Sequence, residues 1–300
     1  MQTLGQLRSG GKKGIARTLS ALDRDELTEP AAQLLDHAYE SPLGYVVGIT
    51  GPPGVGKSTL TQSLIQAYRS KDRSVAVIAV DPSSKKTGGA LLGDRTRFTL
   101  DPDDPDSFVR SMAARDRLGG LSNHAIQAVI LLRALFDVVL VESVGIGQSD
   151  ADVALVCDVA VLCVQPGSGD ALQFMKAGIM EWPDIICVTK ADMGAPARRA
   201  LADIEGALGL SNTGQAPALV TAISAKTGEG IDELVETLTE PRRKTREDLA
   251  KRLIEDAVKQ AFGTEGLRLA HQSQELINPK TPFHCIFATY QALKRDRLKA

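Results

Sequence analysis

Four cysteines in 300 residues, none of them in a C-x-x-C pair, are too few to make a disulfide scaffold. Cys157, Cys163 and Cys187 lie in or beside apolar, strand-like runs, and buried thiols in a reducing compartment are the expectation. No apolar stretch approaches the ~18–20 residues that cross a bilayer, so no membrane span is expected. Met1–Gly14 is polar and Gly-rich and lacks the apolar core of a secretory signal, which points to the cytoplasm. Net charge is also scarce. At −2 it gives no overall case for a nucleic-acid partner. Repeats and low-complexity tracts are absent. What remains, 43% hydrophobic and 24% charged residues, is a soluble globular composition, long enough for one large domain or a domain with appendages.

The charge that is present is unevenly placed. Residues 241–300 carry 13 Lys/Arg against 7 Asp/Glu, a basic arm on an otherwise acidic body. Three parts are expected. Residues 1–43 read as helices, with Ile15, Leu19 and Leu22 on one face and Leu27, Leu34 and Leu35 continuing it. Residues 44–240 alternate short β-rich runs with helical segments. The runs are Val46–Thr50, Val75–Val80, Val138–Val141, Val159–Val164, Ile185–Thr189 and Leu219–Ile223. They lack in–out alternation, so both faces should be covered. The fold class is therefore α/β, a mostly parallel sheet with helices on both faces. Residues 241–300 return to a charged helical pattern.

Gly51-Pro52-Pro53-Gly54-Val55-Gly56-Lys57-Ser58 fits G-x-x-x-x-G-K-[ST] at every position, between an expected strand and an expected helix from Thr59. Such a loop turns backbone N–H groups inward around phosphate, and the helix N-terminus adds positive potential. Lys57 suits β- and γ-phosphate oxygens, and the Ser58 hydroxyl suits Mg²⁺.

Two later segments bear on the base. Thr189-Lys190-Ala191-Asp192 resembles the N-K-x-D element of GTPases, in which an aspartate accepts from guanine N1–H and the exocyclic amine. Thr189 stands where Asn is usual, which is expected to weaken a supporting hydrogen bond while leaving the discriminating carboxylate. Ser224-Ala225-Lys226 resembles the S-A-K element, whose backbone N–H meets guanine O6. Together they favour GTP over ATP.

On the metal side, Val138–Val141 ends in Glu142, with Gly145 three residues later. This is the Walker B position followed by a switch-like turn, with Glu in place of the usual Asp. The Gly145 N–H is a candidate sensor of the γ-phosphate, and Gln148 a candidate for orienting water. Asp81 and Asp94, which bracket a loop, are further candidates for Mg²⁺ beside Ser58 and Glu142. Arg95, Arg97, Arg110 and Arg115 could offset transition-state charge, and nothing in the spacing selects one.

The loop from Asp81 to Asp94, the segment Glu142–Ser149, and Pro166-Gly-Ser-Gly-Asp170 with Gln173 and Lys176-Ala-Gly178 resemble the MeaB/ArgK group of P-loop GTPases, allied to the nickel-chaperone GTPases HypB and UreG. The likeness runs from about Gly44 to Leu238. It implies a GTP-hydrolysing chaperone for an adenosylcobalamin-dependent acyl-CoA mutase of the methylmalonyl-CoA type. Such a protein would be homodimeric through its C-terminal arm and would couple hydrolysis to cofactor loading and protection of the mutase. Asp170, Gln173 and Lys176 would then relay nucleotide state to the partner. Slow intrinsic turnover, raised by that partner, is expected. Three alternatives remain open. A nickel-type metallochaperone would need grouped soft or imidazole ligands, whereas His37, His124, His271 and His284 are scattered and only His284-Cys285 is adjacent. An ArgK-type kinase or transport ATPase would need an acceptor pocket and a base. A module that binds nucleotide without hydrolysing it would not need Lys57, Ser58 and Glu142 all intact.

Overall fold

A computed structural model describes residues 2–24, 26–81, 98–113, 121–145, 151–167, 182–209, 218–239, 246–272 and 278–297. In chain order its elements are α1 (Leu4–Arg24), α2 (Glu29–Glu40), β1 (Tyr45–Thr50), α3 (Lys57–Arg69), β2 (Val75–Asp81), β3 (Ser107–Ala113), α4 (Asn123–Arg133) and β4 (Val138–Glu142). There follow α5 (Ala151–Val156), β5 (Val159–Val164), β6 (Ile185–Val188), a single 3₁₀ turn at Ala191–Met193, α6 (Ala195–Gly209), β7 (Leu219–Ala222), α7 (Ile231–Leu238), α8 (Arg246–Gln272) and α9 (Pro282–Arg297). The chain divides into two compact units, Gly44–Ala125 with Phe136–Arg242, and Met1–Leu43 with Ile126–Leu135 and Arg243–Ala300.

The first of these units is built on a seven-stranded sheet in the order β3-β2-β4-β1-β5-β6-β7, and every pairing is parallel. Six strands are the apolar runs read from the sequence. The seventh, β3, was not anticipated. Its Ser107-Phe-Val-Arg-Ser-Met-Ala113 mixes polar and apolar residues because it is an edge strand, paired to β2 alone and only partly buried in its middle.

Acidic side chains at the start of the strands fix the register. The Asp158 carboxylate accepts the Val46 N–H at 2.8 Å, and Asp184 accepts the Ala160 N–H at 2.8 Å. Asp137 accepts both the N–H and the hydroxyl of Ser74, at 2.8 and 2.7 Å. With the amino ends fastened, the carboxyl ends emerge in a fixed order, and ligand sites of open parallel sheets form there. β1 lies between β4 and β5, with Ile49 registered against Glu142 on one side and Val161 on the other.

One sheet face packs on α3 and α7. Leu60, Leu64 and Tyr68 of α3, and Leu234, Val235 and Leu238 of α7, join Val47, Ile49 and Leu140 in a single buried cluster. Those positions repeat every three or four residues, the helical period that the sequence shows. Full burial of each such side chain stabilises the fold by about 1.5–3 kcal/mol. Gly48 in β1 is a packing requirement, because a Cβ there would lie 2.4 Å from Val153 Cγ1 and 3.0 Å from Cys157 Sγ. That vacancy of side chain lets α5 approach the sheet.

The second unit is helical. α1 carries Leu7, Ile15, Leu19 and Leu22 on a buried face and is interrupted at Gly11, whose φ of 60° breaks the helix. α8 is interrupted in the same way at Gly263. Asp36 of α2, itself buried, accepts the N–H groups of Phe283 and His284 at 2.8 and 2.9 Å and so caps the N-terminus of α9. Burial raises the Asp36 pKa, and the two N–H bonds oppose that rise. Further on, the Tyr290 hydroxyl donates to the Ala257 carbonyl at 2.7 Å, and its ring meets Phe262 edge-on at 5.1 Å.

Candidate functional site

The site lies where β1, β2, β4, β6 and β7 end. β1 runs into Gly51–Gly56, and α3 begins at Lys57. Gly51, Gly54 and Gly56 have φ of 138°, 77° and 106°, backbone that side chains disfavour. At Gly51 a Cβ would also strike the Cys163 carbonyl at 2.3 Å. The loop therefore holds its shape through glycine where the motif requires it. The Lys57 ammonium, mostly buried, bridges the carbonyls of Gly51 and Pro52 at 2.7 and 3.1 Å.

Glu142, fully buried at the end of β4, faces α3. Its Oε1 accepts the Ser58 hydroxyl at 2.6 Å, and its Oε2 lies 3.1 Å from the Thr61 hydroxyl. Thr61 Oγ1 is also 2.9 Å from the Lys57 carbonyl, one turn back. Ser58 and Thr61 stand three apart on the helix and share a face, so one carboxylate spans both. Thr61 was not among the residues read from the sequence. Its helical spacing from Ser58 was the available signal.

Asp81 ends β2 and is fully buried. It sits two residues beyond Ala79, the partner in register of Glu142, and so projects from the same sheet face. Ser58 and Glu142, with Asp81 at the end of the neighbouring strand, offer only oxygen donors. That chemistry fits Mg²⁺, which is held by one or two carboxylates and keeps its remaining places for phosphate and water. Among the described residues no group of three or more His, Cys, Asp or Glu could hold a metal ion.

Gly145 closes this side. Its φ is 77°, and a Cβ there would fall 1.8 Å from the Gly51 carbonyl and 2.8 Å from Lys57 Nζ. Nearby, the Ser143 hydroxyl donates to Thr50 Oγ1 at 2.7 Å, and the Ser143 N–H continues the β1 ladder to Ile49. Asp94, Gln148, Asp170, Gln173 and Lys176 lie outside the described residues.

On the other side, the Thr189-Lys190-Ala191-Asp192 element grips the phosphate loop. The Thr189 hydroxyl is 2.7 Å from the Val55 carbonyl and 3.0 Å from that of Val164. The threonine thus supplies a side-chain tie to the loop in place of asparagine. Lys190 adopts left-handed backbone, φ 57°, and its ammonium donates to the Gly54 carbonyl at 3.1 Å and to Gln165 Oε1 at 2.5 Å. Two consecutive residues therefore hold two consecutive loop carbonyls.

Asp192 and the Ser224-Ala225-Lys226 element come together. The Ser224 hydroxyl donates to Asp192 Oδ1 at 2.9 Å, and Lys226 Nζ lies 4.0 Å from Oδ2. The Ala191 N–H bonds the Ile223 carbonyl, stitching the two loops through their backbones. Behind the loop, Cys163 and Cys187 are registered partners on β5 and β6 and fully buried. Its hydrogen bond with Cys163, and then burial, hold the Cys187 thiol well above the ordinary range. It is a packed, buried thiol.

A parallel sheet, a G-x-x-x-x-G-K-[ST] loop opening a helix at the end of its central strand, and an acidic residue ending the neighbouring strand define a P-loop nucleoside triphosphatase. The family follows from the chain itself: residues 15–265 match the family described as methylmalonyl Co-A mutase-associated GTPase MeaB, and the chain belongs to it. A Pyrococcus abyssi protein named as a GTPase is 44% identical over 195 residues, 64% of this chain and 59% of that protein. The mouse protein named methylmalonic aciduria type A homolog, mitochondrial, is 39% identical over 204 residues, 66% of this chain and 49% of its own length. The match thus spans roughly half to three fifths of these two relatives. Among solved structures, an LAO/AO transport system kinase superposes with a TM-score of 0.63 at 26% identity, covering 97% of this chain and 96% of that one.

Proposed function

We propose that this chain binds and hydrolyses GTP with Mg²⁺, and that its nucleotide state governs a chaperone cycle on an adenosylcobalamin-dependent acyl-CoA mutase. The observation that carries the nucleotide part is the convergence on one loop of Lys57, the Ser58–Glu142 pair, and Thr189 and Lys190, with the Asp192–Ser224 pair next along the chain. Membership of the MeaB family supports the partner. The expectation of a homodimer formed through the C-terminal arm belongs to the same proposal.

In this reading the loop N–H groups and the α3 N-terminus receive the phosphates, and Lys57 supplies a fixed positive charge to their oxygens. Ser58, Asp81 and Glu142 would hold Mg²⁺, which polarises phosphate oxygens and offsets their charge when bound. Thr61 steadies the second oxygen of Glu142. Water attacks the γ-phosphorus in line, the bond to the β,γ-bridging oxygen breaks, and GDP and phosphate leave. The Gly145 N–H is placed in this proposal as the γ-phosphate sensor and Gln148 as the residue orienting water. Asp192, held by Ser224, reads guanine, and the backbone at Ala225 reads O6. Asp170, Gln173 and Lys176 relay the outcome to the mutase.

The test is steady-state turnover of GTP and ATP by the purified chain, with Asp192→Asn beside it. GTP preferred over ATP, and a shift of the variant toward xanthosine triphosphate, support the reading; equal use of both nucleotides overturns it. The solved relative named as a kinase makes phosphate transfer the competing reading. Labelled γ-phosphate found on an acceptor in place of free phosphate would decide for it. For the partner, the chain is used to capture protein from cobalamin-supplied lysate with GDP or a non-hydrolysable GTP analogue. Nucleotide-dependent recovery of a mutase is expected.

A further inference from the structure

The residue that departs from the usual guanine element has no donor to spare. A threonine hydroxyl has one O–H, whereas an asparagine amide has two N–H donors and an acceptor. The Thr189 proton is shared between the carbonyls of Val55 and Val164, at 2.7 and 3.0 Å, and the side chain is buried to 2% exposure. Its own N–H is also engaged, with the Val164 carbonyl at 2.8 Å. An asparagine in its place would retain a second N–H after making the same tie to the loop.

Guanine presents two edges. N1–H and the exocyclic amine are donors, met by a carboxylate, while N7 is an acceptor that a protein donor or water can meet. Asp192 is held in place for the first edge by Ser224 at 2.9 Å. The ammonium of Lys190, the next donor along the chain, is turned to Gly54 and Gln165. The element thus keeps its acceptor for one edge and directs the Thr189 hydroxyl and two of the three Lys190 N–H groups to the phosphate loop and the end of β5.

Resting on the proposal that the nucleotide is GTP, we infer that Thr189 is a specificity-determining residue that makes this site indifferent to purine N7. It acts by positioning: it ties Val55 of the phosphate loop to the ends of β5 and β6 and leaves base selection to Asp192. Guanine nucleotides altered at N7 but intact at N1 and N2 are therefore ligands of this site equal to the natural one.

The probe is 7-deaza-GDP, which replaces N7 by C–H and keeps the Asp192-facing edge. Equilibrium binding of GDP and 7-deaza-GDP to the full chain is expected to agree within about twofold, since the committed Thr189 hydroxyl offers N7 no hydrogen bond to lose. Thr189→Ala is expected to weaken both by about five- to tenfold without changing their ratio, the size expected for one buried hydrogen bond. Thr189→Ser, which keeps the hydroxyl, is expected to restore both and guards against a poorly folded alanine variant. A wild-type preference for GDP over 7-deaza-GDP of about fivefold or more overturns the inference, whether or not it survives in Thr189→Ala. Unchanged affinity in Thr189→Ala overturns the positioning role. Failure of the wild type to bind GDP at all would instead sink the GTP reading, so the two failures are distinct.

Discussion

Ser58 and Glu142, 84 residues apart in the chain, are joined by a 2.6 Å hydrogen bond at the base of the phosphate loop. That bond joins the first turn of α3 to the end of β4. Thr61 completes it from one turn further along, at 3.1 Å from the other carboxylate oxygen. The longer arm of glutamate, compared with the aspartate usual at this strand end, is what allows one side chain to touch both hydroxyls.

Glu142→Gln removes the charge but keeps the shape. Hydrolysis is expected to fall about 10- to 100-fold, with a higher Mg²⁺ concentration needed for half-maximal rate. Thr61→Val, which loses the hydroxyl alone, should shift the Mg²⁺ titration in the same direction by less, and Thr61→Ser should reverse it. Titrations of turnover against Mg²⁺ for the four proteins check this. Superimposable curves would separate Glu142 from the metal.

Gly145→Ala forces a Cβ to within 1.8 Å of the Gly51 carbonyl at a φ of 77°. The chain must move there, and the strained backbone alone costs about 1–3 kcal/mol. The expected result is loss of most GTP hydrolysis, with the far side of the site, at Asp192, still binding guanosine. Fluorescent-nucleotide binding and phosphate release, measured together, report the split. A fully active Gly145→Ala would mean that this close approach opens in the working enzyme.

Asp36→Ala removes the cap of α9, leaving the N–H groups of Phe283 and His284 without that carboxylate. A loss of about 1–2 kcal/mol is expected, and a lower thermal midpoint. Urea unfolding followed by circular dichroism measures it. A change below a few tenths of a kcal/mol would show that solvent replaces the cap.

Arg69 and Asp104 form a two-point pair at 2.8 and 2.9 Å. Partial burial pushes the Asp104 carboxyl up, but the Arg69 hydrogen bonds and charge outweigh it and hold the group below its ordinary 3.8. A carboxyl depressed in the folded state stabilises above its unfolded value, and the contribution disappears as pH falls through the folded one. Wild type should therefore exceed Asp104→Asn by about 1 kcal/mol or less at neutral pH, the pair being partly exposed. That margin should close as pH drops below 3.8. Unfolding midpoints of both proteins across that range test the sign.

The amino-acid order alone determined the parallel α/β class, the phosphate loop with Lys57 and Ser58, the acid at Glu142, and the segment at Asp192 that resembles a guanine element. Each is a local pattern: an uninterrupted apolar run, a glycine spacing, a charge at a strand end. The helix after the loop was legible from its place beside the motif, whereas the packing of α3 and α7 on the sheet was not read in advance, although their apolar spacing of three and four encodes a face. β3 was not, because an edge strand buried against one neighbour carries no strong periodic signal.

Tertiary structure alone decided what the shared carboxylate touches, which carbonyls Thr189 holds, and how near Gly145 comes to Gly51. The Thr61–Glu142 and Thr189–Val55 contacts span 81 and 134 residues of chain. Contacts at such separations depend on strand order and register, which place β4 beside β1 and the end of β6 beside the loop, and nothing in the intervening sequence records that adjacency. A threonine read in isolation is a weaker asparagine; against the Val55 carbonyl it is a tie whose single proton is already committed.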